Sequence, residues 1–229
     1  MIERENIKVI GFDADDTLWI NEPYFQETED NFCLLLKEYA ATDEVSRVLF
    51  EMEMKNLELY GYGAKGFMLS MVEAAVKVSK GNVPASIIEK TIMLGKEMLE
   101  RPIELLDGVN EVLTALKGKY KLIVATKGDL LDQERKLRKS GLLQYFHHIE
   151  VMSDKKEADY SKLLAHLDCA PNQFLMIGNS LKSDVLPVLE LGGNAIHVPY
   201  HTTWAHEKVE EENLNILKID KLVDVLKFV

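Results

Sequence analysis

The stretch IKVIGFDADDTLWINEPYF, residues 7–25, runs an apolar segment directly into three carboxylates, Asp13, Asp15 and Asp16. Like charges this close raise the cost of ionising one another, and burial at a strand end raises it further. The pattern calls for a positive partner. Whether 7–12 is a strand of a parallel sheet, and what meets its acidic end, settles fold and chemistry together.

Four more short runs rich in β-branched residues follow: KLIVAT (121–126), HIEVMS (148–153), FLMIGN (174–179) and AIHVP (195–199). Near-continuous hydrophobicity suits strands of a parallel sheet covered on both faces. Helical patterns separate these runs: VNEVLTALKGK, LLDQERKLRKSGL, YSKLLAHLD and DVLPVLELGG, with Gly141 and Gly192 placed as helix stops. The βαβ alternation predicts an α/β fold built on a doubly wound parallel sheet.

About 100 residues lie between Phe12 and Lys121, far more than one crossover needs, and their pattern is helical throughout. Val45, Val48, Leu49, Met52 and Leu59 predict one buried helix face, and Met68, Leu69, Val72, Ala75 and Val76 another. Pro84 opens a further helix carrying Ile87, Ile88, Ile92, Met98 and Leu99. The expected organisation is an α/β core of residues 1–19 and 105–229 with an inserted all-helical cap domain, residues 20–104. Linkers are expected near Asn21–Pro23 and Arg101–Asp107.

The composition of the 229 residues, 47% hydrophobic and 28% charged, reads as an ordinary soluble globular protein. A net charge of -11 repels a phosphate backbone and anionic lipid, so neither nucleic acid nor a membrane is expected as partner. The start, MIERENIKVIGF, is charged from its third residue, and no apolar run approaches the roughly 18 residues of a membrane span. A cytoplasmic protein is the expectation. Cys33 and Cys169 are read as free, buried thiols. His197, His201 and His206 in HVPYHTTWAHE match no metal-ligand spacing and are read as part of a structured loop. Trp19, Tyr24 and Phe25 fit either a pocket lining or packing at a hinge.

Ligands of open parallel sheets bind beyond the carboxyl ends of the strands. Those ends carry Asp13 and Asp15, Thr126 and Lys127, Lys155 and Lys156, then Gly178 and Asn179 with Asp184 five residues on. One acid there is ordinarily a turn former, but four polar ends converging on one crevice point to chemistry. A carboxylate attacks phosphorus when its charge and that of the phosphate are offset. Mg²⁺ does this with oxygen ligands. A lysine neutralises the transferring phosphoryl group, a threonine hydroxyl holds its oxygens, and a second carboxylate exchanges a proton with the leaving group.

DADDTL at 13–18 resembles the DxDxT signature of the haloacid dehalogenase-like (HAD) hydrolase superfamily. VAT at 124–126, Lys155 and GNSLKSD at 178–184 resemble its second, third and fourth motifs in the same order. The resemblance spans the chain and implies a HAD-like Rossmannoid core with a C1-type helical cap between the first two motifs. It implies Asp13 as the nucleophile forming an aspartyl-phosphate and Asp15 as general acid and base. Thr126 and Lys155 complete the catalytic set it implies, and with Lys127 they fall to substrate binding. Mg²⁺ falls to the Asp13 carboxylate, the Asp15 backbone carbonyl, Asn179 and Asp184. The fourth motif of the family more commonly begins Gly-Asp; here it begins Gly-Asn, one negative charge fewer. Lys155 is preferred to its neighbour Lys156 because it stands closer to the strand end. The other reading of Asp184 is an N-cap for VLPVLEL, and Asp16 is read as a turn or cap residue.

The activity this implies is Mg²⁺-dependent hydrolysis of a small phosphorylated metabolite, with the cap selecting the substrate. Halide-removing members of the family lack the acid two positions after the nucleophile, so Asp15 argues against dehalogenation. A phosphomutase would use the same residues. Phosphonate hydrolysis would call on a cap lysine, and none of Lys37, Lys55, Lys65 and Lys77 is marked out. Outside this chemistry stand a response-regulator-like phosphoryl acceptor, usually about half this length, and a family member that binds a ligand without turnover.

Overall fold

A computed structural model describes residues 2–209 and 216–229. Its strands are β1 (Val9–Phe12), β2 (Lys121–Lys127), β3 (His148–Met152), β4 (Phe174–Gly178), β5 (Asn194–His197) and β6 (Leu217–Lys218). Its helices are α1 (Glu22–Leu35), α2 (Thr42–Tyr60), α3 (Ala64–Val78), α4 (Ala85–Glu100), α5 (Val109–Leu116), α6 (Leu130–Lys139), α7 (Glu157–His166) and α8 (Leu186–Glu190). The strands form one parallel sheet in the order β3-β2-β1-β4-β5-β6, the doubly wound α/β arrangement expected. The two-residue β6 was not predicted, being too short to carry a pattern.

The strands supply apolar side chains alternately to two cores, as their two-residue period requires. Ile10, Phe12, Leu122, Val124, Leu175, Ile177 and Ile196 face one way and pack with Val112 and Leu113 of α5 and Leu137 of α6. Val9, Ile123, Ala125, Phe174, Met176 and Ala195 face the other and meet Tyr160, Leu163 and Leu164 of α7 and Val188 of α8. β3 departs from the expectation of burial on both faces. It is an edge strand, only Met152 in it is fully buried, and its polar residues His148 and Glu150 alternate with Ile149 and Val151.

From β1 the chain moves outward to β2 and β3, then returns to place β4 on the other side of β1. The reversal opens a crevice beyond the ends of β1 and β4. Gly141 and Gly192 stand after their helices at φ of 74° and 80°, the left-handed conformation of a helix stop. The helix predicted over 184–193 is instead a π-helical turn, Leu181–Val185, followed by α8. Pro187 is the reason: it has no N–H for the Ser183 carbonyl, which accepts the Tyr160 hydroxyl at 3.0 Å.

Two compact units share the chain, one of residues 1–22, 103–127 and 133–229, the other of residues 23–102 and 128–132. The helical unit is held by Phe32, Leu36, Val45, Leu49, Phe67, Met71, Ala74 and Ala75. Val45, Val48, Leu49 and Met52 are buried as expected, but Leu59 is 80% exposed. On α3 the buried face is Phe67, Ser70, Met71, Ala74 and Ala75, while Leu69 and Val76 are exposed. The predicted stripe is turned by about one residue, because α3 packs between α2 and α4 and Met68 closes on Gly95 of α4. Pro84 is the residue preceding α4, and of the apolar set predicted there only Met98 is fully buried. Cys33 is buried and Cys169 half-buried, both free. Among the described residues no helix is long and apolar enough to cross a membrane.

Candidate active site

Register alone brings two of the acidic segments together. Phe12 pairs with Ile177, so Asp13 lies beside Gly178, and the Asp13 N–H donates to the Ile177 carbonyl at 2.9 Å. On the other side Phe12 pairs with Val124, which sets Thr126 two residues past the last β1 residue. Lys155 follows β3 in a short loop and is buried. A Cβ at position 178 would lie 2.3 Å from the Asp184 carboxylate, so only glycine leaves room for that side chain.

The Lys155 ammonium stands between two carboxylates, 2.5 Å from Asp13 Oδ1 and 2.6 Å from Asp184 Oδ1. All three side chains are almost wholly enclosed. Lys156 is exposed and pairs with Asp154 at 2.8 Å, so Lys155 is the lysine that meets the carboxylates. Asp184 does not cap α8. Its Oδ2 accepts the Ser180 N–H at 2.9 Å, and the capping oxygen of the π-helical turn is Ser180 Oγ, which accepts from the Ser183 N–H. Thr17 Oγ1 lies 3.2 Å from Asp13 Oδ2 and 3.3 Å from Asn179 Oδ1, holding those two oxygens side by side.

Burial pushes the Asp13 carboxyl up to about 7 and the charge of Asp184 adds to this, while Lys155 pulls it down. Burial works against the Lys155 ammonium too, yet Asp13 and Asp184 hold it protonated well above the ordinary lysine range. One ammonium therefore faces two buried carboxylates, and negative charge is left over. Asp13 and Asp184 carboxylates with the Asn179 amide oxygen are hard oxygen donors of the kind that suits Mg²⁺, and the residual charge is what such an ion would offset.

Asp15 is clamped from three sides. Its Oδ1 accepts Trp19 Nε1 at 2.7 Å and Lys136 Nζ at 2.9 Å, and its Oδ2 accepts Gln133 Nε2 at 2.7 Å. The Gln133 nitrogen also donates to the Lys127 carbonyl at 2.8 Å, so two acceptors fix the orientation of this buried amide. Trp19 is 1% exposed and belongs to the core rather than to a pocket wall. Phe25 packs on Phe67 and Tyr24 lies under the Arg101 guanidinium, both within the helical unit. Asp16, at φ 60°, accepts the backbone N–H groups of Asn21 and Glu22, as a turn and cap residue does. Burial raises its carboxyl to about 7 against those hydrogen bonds.

Lys127, expected as a substrate ligand, stands in a polar cluster with Glu207 and Ser183. Its ammonium is 2.5 Å from Glu207 Oε1 and 2.9 Å from Ser183 Oγ. Glu207 Oε2 accepts the hydroxyls of Ser180 and Ser183 at 2.6 Å each. Burial raises the Glu207 carboxyl, but Lys127 and these hydroxyls outweigh it and hold the group at about 2. His197 Nε2 meets the Asn179 carbonyl oxygen at 3.0 Å, and His206 lies beside Lys182.

Thr17, Gln133, Lys136, Ser180, Ser183 and Glu207 were not picked out from the sequence. Thr17 stood inside the DADDTL motif, and Gln133 and Lys136 are one turn apart on α6, a polar pair on a face that packs inward. Glu207 carried no signal, since only the tertiary fold brings it to Ser180.

Comparison with known proteins gives a concordant result. The family described as haloacid dehalogenase-like hydrolase matches residues 7–192. A haloacid dehalogenase-like family hydrolase from Xanthomonas campestris is similar in structure, with a TM-score of 0.82 and 39% sequence identity over 90% of this chain and 87% of that one. The glyceraldehyde 3-phosphate phosphatase of Methanothermobacter thermautotrophicus is 30% identical over 118 residues, 48% of this chain and 52% of its own length. The mouse N-acylneuraminate-9-phosphatase is 25% identical over 141 residues, 59% of this chain and 54% of its own. The chain thus spans about half the length of the curated relatives it matches.

Proposed function

The chain belongs to the haloacid dehalogenase-like hydrolase family, and from that premise we propose that it hydrolyses a small phosphomonoester through an aspartyl-phosphate on Asp13. The observation that carries this reading is the enclosed cluster in which Lys155 meets both Asp13 and Asp184. A buried carboxylate at a strand end is a nucleophile held ready, with a cation beside it for the incoming phosphate.

Asp13 attacks phosphorus as the bond from phosphorus to the ester oxygen breaks. Lys155 keeps Asp13 oriented and balances charge on the transferring oxygens, with the Thr126 hydroxyl as a further donor. Asp15, oriented by Trp19, Gln133 and Lys136, gives a proton to the departing alkoxide. It then takes one from the water that attacks the aspartyl-phosphate, so Asp13 returns as a carboxylate and phosphate leaves. Mg²⁺ held by the Asp13 and Asp184 carboxylates, the Asp15 carbonyl and Asn179 would supply charge neutralisation. The Gly-Asn start of the fourth motif makes Asn179 a neutral donor in that set. Lys127, the further substrate ligand of this account, is positioned by Glu207.

Relatives named as phosphatases of a triose phosphate and an acylneuraminate phosphate put phosphorylated sugars and sugar acids first in a substrate screen. The test is release of phosphate from an aryl phosphate with and without Mg²⁺, comparing the native chain with Asp13→Asn. Expected is Mg²⁺-dependent turnover that falls at least about a thousandfold in the variant. Turnover that survives Asp13→Asn, or a folded protein with Mg²⁺ that turns over neither the aryl phosphate nor the screened metabolites, overturns the reading.

A further inference from the structure

Away from the strand ends, His148, Glu150 and His166 bring three donor atoms within 4.8 Å of one another, the one such group among the described residues. His148 and Glu150 are two apart on β3 and share a face, with Nε2 and Oε2 2.7 Å apart. His166 is the last residue of α7, and its ring lies 5.1 Å from that of His148. We propose that these residues form a binding site for a divalent cation of the zinc class, which ties the start of β3 to the end of α7.

The donor set selects the ion. Two imidazoles and one carboxylate suit Zn²⁺, Ni²⁺ or Cu²⁺, while Mg²⁺ prefers oxygen alone and is better served at Asp13 and Asp184. Three protein ligands leave a further position to water. Tetrahedral zinc bonds of about 2.0–2.1 Å require the His148 and Glu150 donors to part slightly and the more distant donors to draw in, movements that side chains at a sheet edge can make. The cation takes the place of the hydrogen bond between His148 Nε2 and Glu150 Oε2, with His148 ligating as the neutral imidazole that carries its proton on Nδ1. Its position at the carboxyl end of α7 adds the favourable pole of the helix dipole.

The placement gives the site a consequence. β3 and α7 are joined by the short loop that carries Lys155; His148 and His166 stand at the opposite ends of that strand and helix, with Glu150 midway along β3. A bound cation therefore fastens the strand–loop–helix unit at its base without touching the carboxylates. This inference is independent of the proposed hydrolysis.

The experiment is calorimetric titration of the full chain with Zn²⁺ in saturating Mg²⁺, with thermal melts, for the native protein, His166→Gln and Glu150→Gln. One zinc equivalent is expected, with a melting temperature higher by about 5 °C when the site is well saturated. Either substitution should weaken zinc binding at least about tenfold and remove the thermal gain. Metal-free melts of the variants that match the native protein separate lost ligation from lost folding, and visible absorption of bound Co²⁺ reports directly on imidazole coordination. No zinc equivalent in saturating Mg²⁺, or one that survives both substitutions undiminished, overturns the proposal.

Discussion

The sheet unit and residues 23–102 of the helical unit bury different kinds of polar group. Within residues 23–102 the buried polar side chains are Thr28, Asn56, Ser70, Ser79 and Thr91, all neutral. Each is satisfied nearby: Thr28 and Thr91 donate to carbonyls one turn back, and Asn56 meets Ser70 at 3.3 Å. In the sheet unit the buried set includes Asp13, Asp16, Lys155 and Asp184. A neutral group with one hydrogen bond is cheap to enclose, whereas a charge is enclosed only where a partner meets it, and removing that partner costs several kcal/mol. Burial of charge is thus concentrated where the strands end, while residues 23–102 enclose only neutral polar groups in an apolar core.

A substitution in the helical core puts this contrast to its strongest test. Met71 is fully buried between α2 and α4, and Met71→Ala should lower stability by about 2–5 kcal/mol by leaving a cavity. Urea unfolding measures the loss. Phosphate release that depends on Asp13 should persist in the folded variant. Its abolition would show that the division of labour between packing and chemistry does not hold.

Glu207→Gln sharpens the other side of the comparison, because it alters a charged cluster away from the attacking carboxylate. Glu207 is held at about 2, below its ordinary 4.5. A group depressed in the folded state stabilises fully above its unfolded value and loses that contribution as pH falls through the folded one. Converted at 1.36 kcal/mol per unit, the contribution is up to roughly 3 kcal/mol. The native protein should therefore be the more stable at pH 7, with its advantage over Glu207→Gln shrinking toward pH 2. Urea midpoints for both proteins across that range give the comparison, and a difference that stays constant with pH would assign Glu207 no charge-linked role.

The same contrast explains what the sequence made legible. Fully enclosed strands such as FLMIG leave an unbroken apolar run, and their register then carries Asp13, Thr126 and Asp184 to one crevice, so local pattern sufficed. The apolar content of β3 suggests an enclosed strand, but the alternation of His148 and Glu150 with Ile149 and Val151 marks an edge, and with it the place of the candidate zinc site. Side chains that meet only through tertiary folding, Glu207 with Ser180 or Gln133 with Asp15, lie 27 and 118 residues apart and leave no local trace. In the helical unit, periodicity identified helices but not which stripe turns inward, since α3 has neighbours on two sides and its apolar residues nearly encircle it.

Leu59 was placed on the buried face of α2 by its spacing from Val45, Val48 and Met52, yet at 80% exposure near the end of the helix it gives up little apolar contact when replaced. Leu59→Glu should change stability by no more than about 0.5 kcal/mol, the scale of surface substitutions. Leucine and glutamate also differ little in helix propensity, so no loss should come from that source. Thermal and urea unfolding of this variant beside Leu49→Ala, a fully buried position on the same helix expected to cost about 2–5 kcal/mol, compares the two stripes directly. Equal losses at the two positions would mean that Leu59 is covered in solution and that the apolar face of α2 extends as its periodicity first indicated.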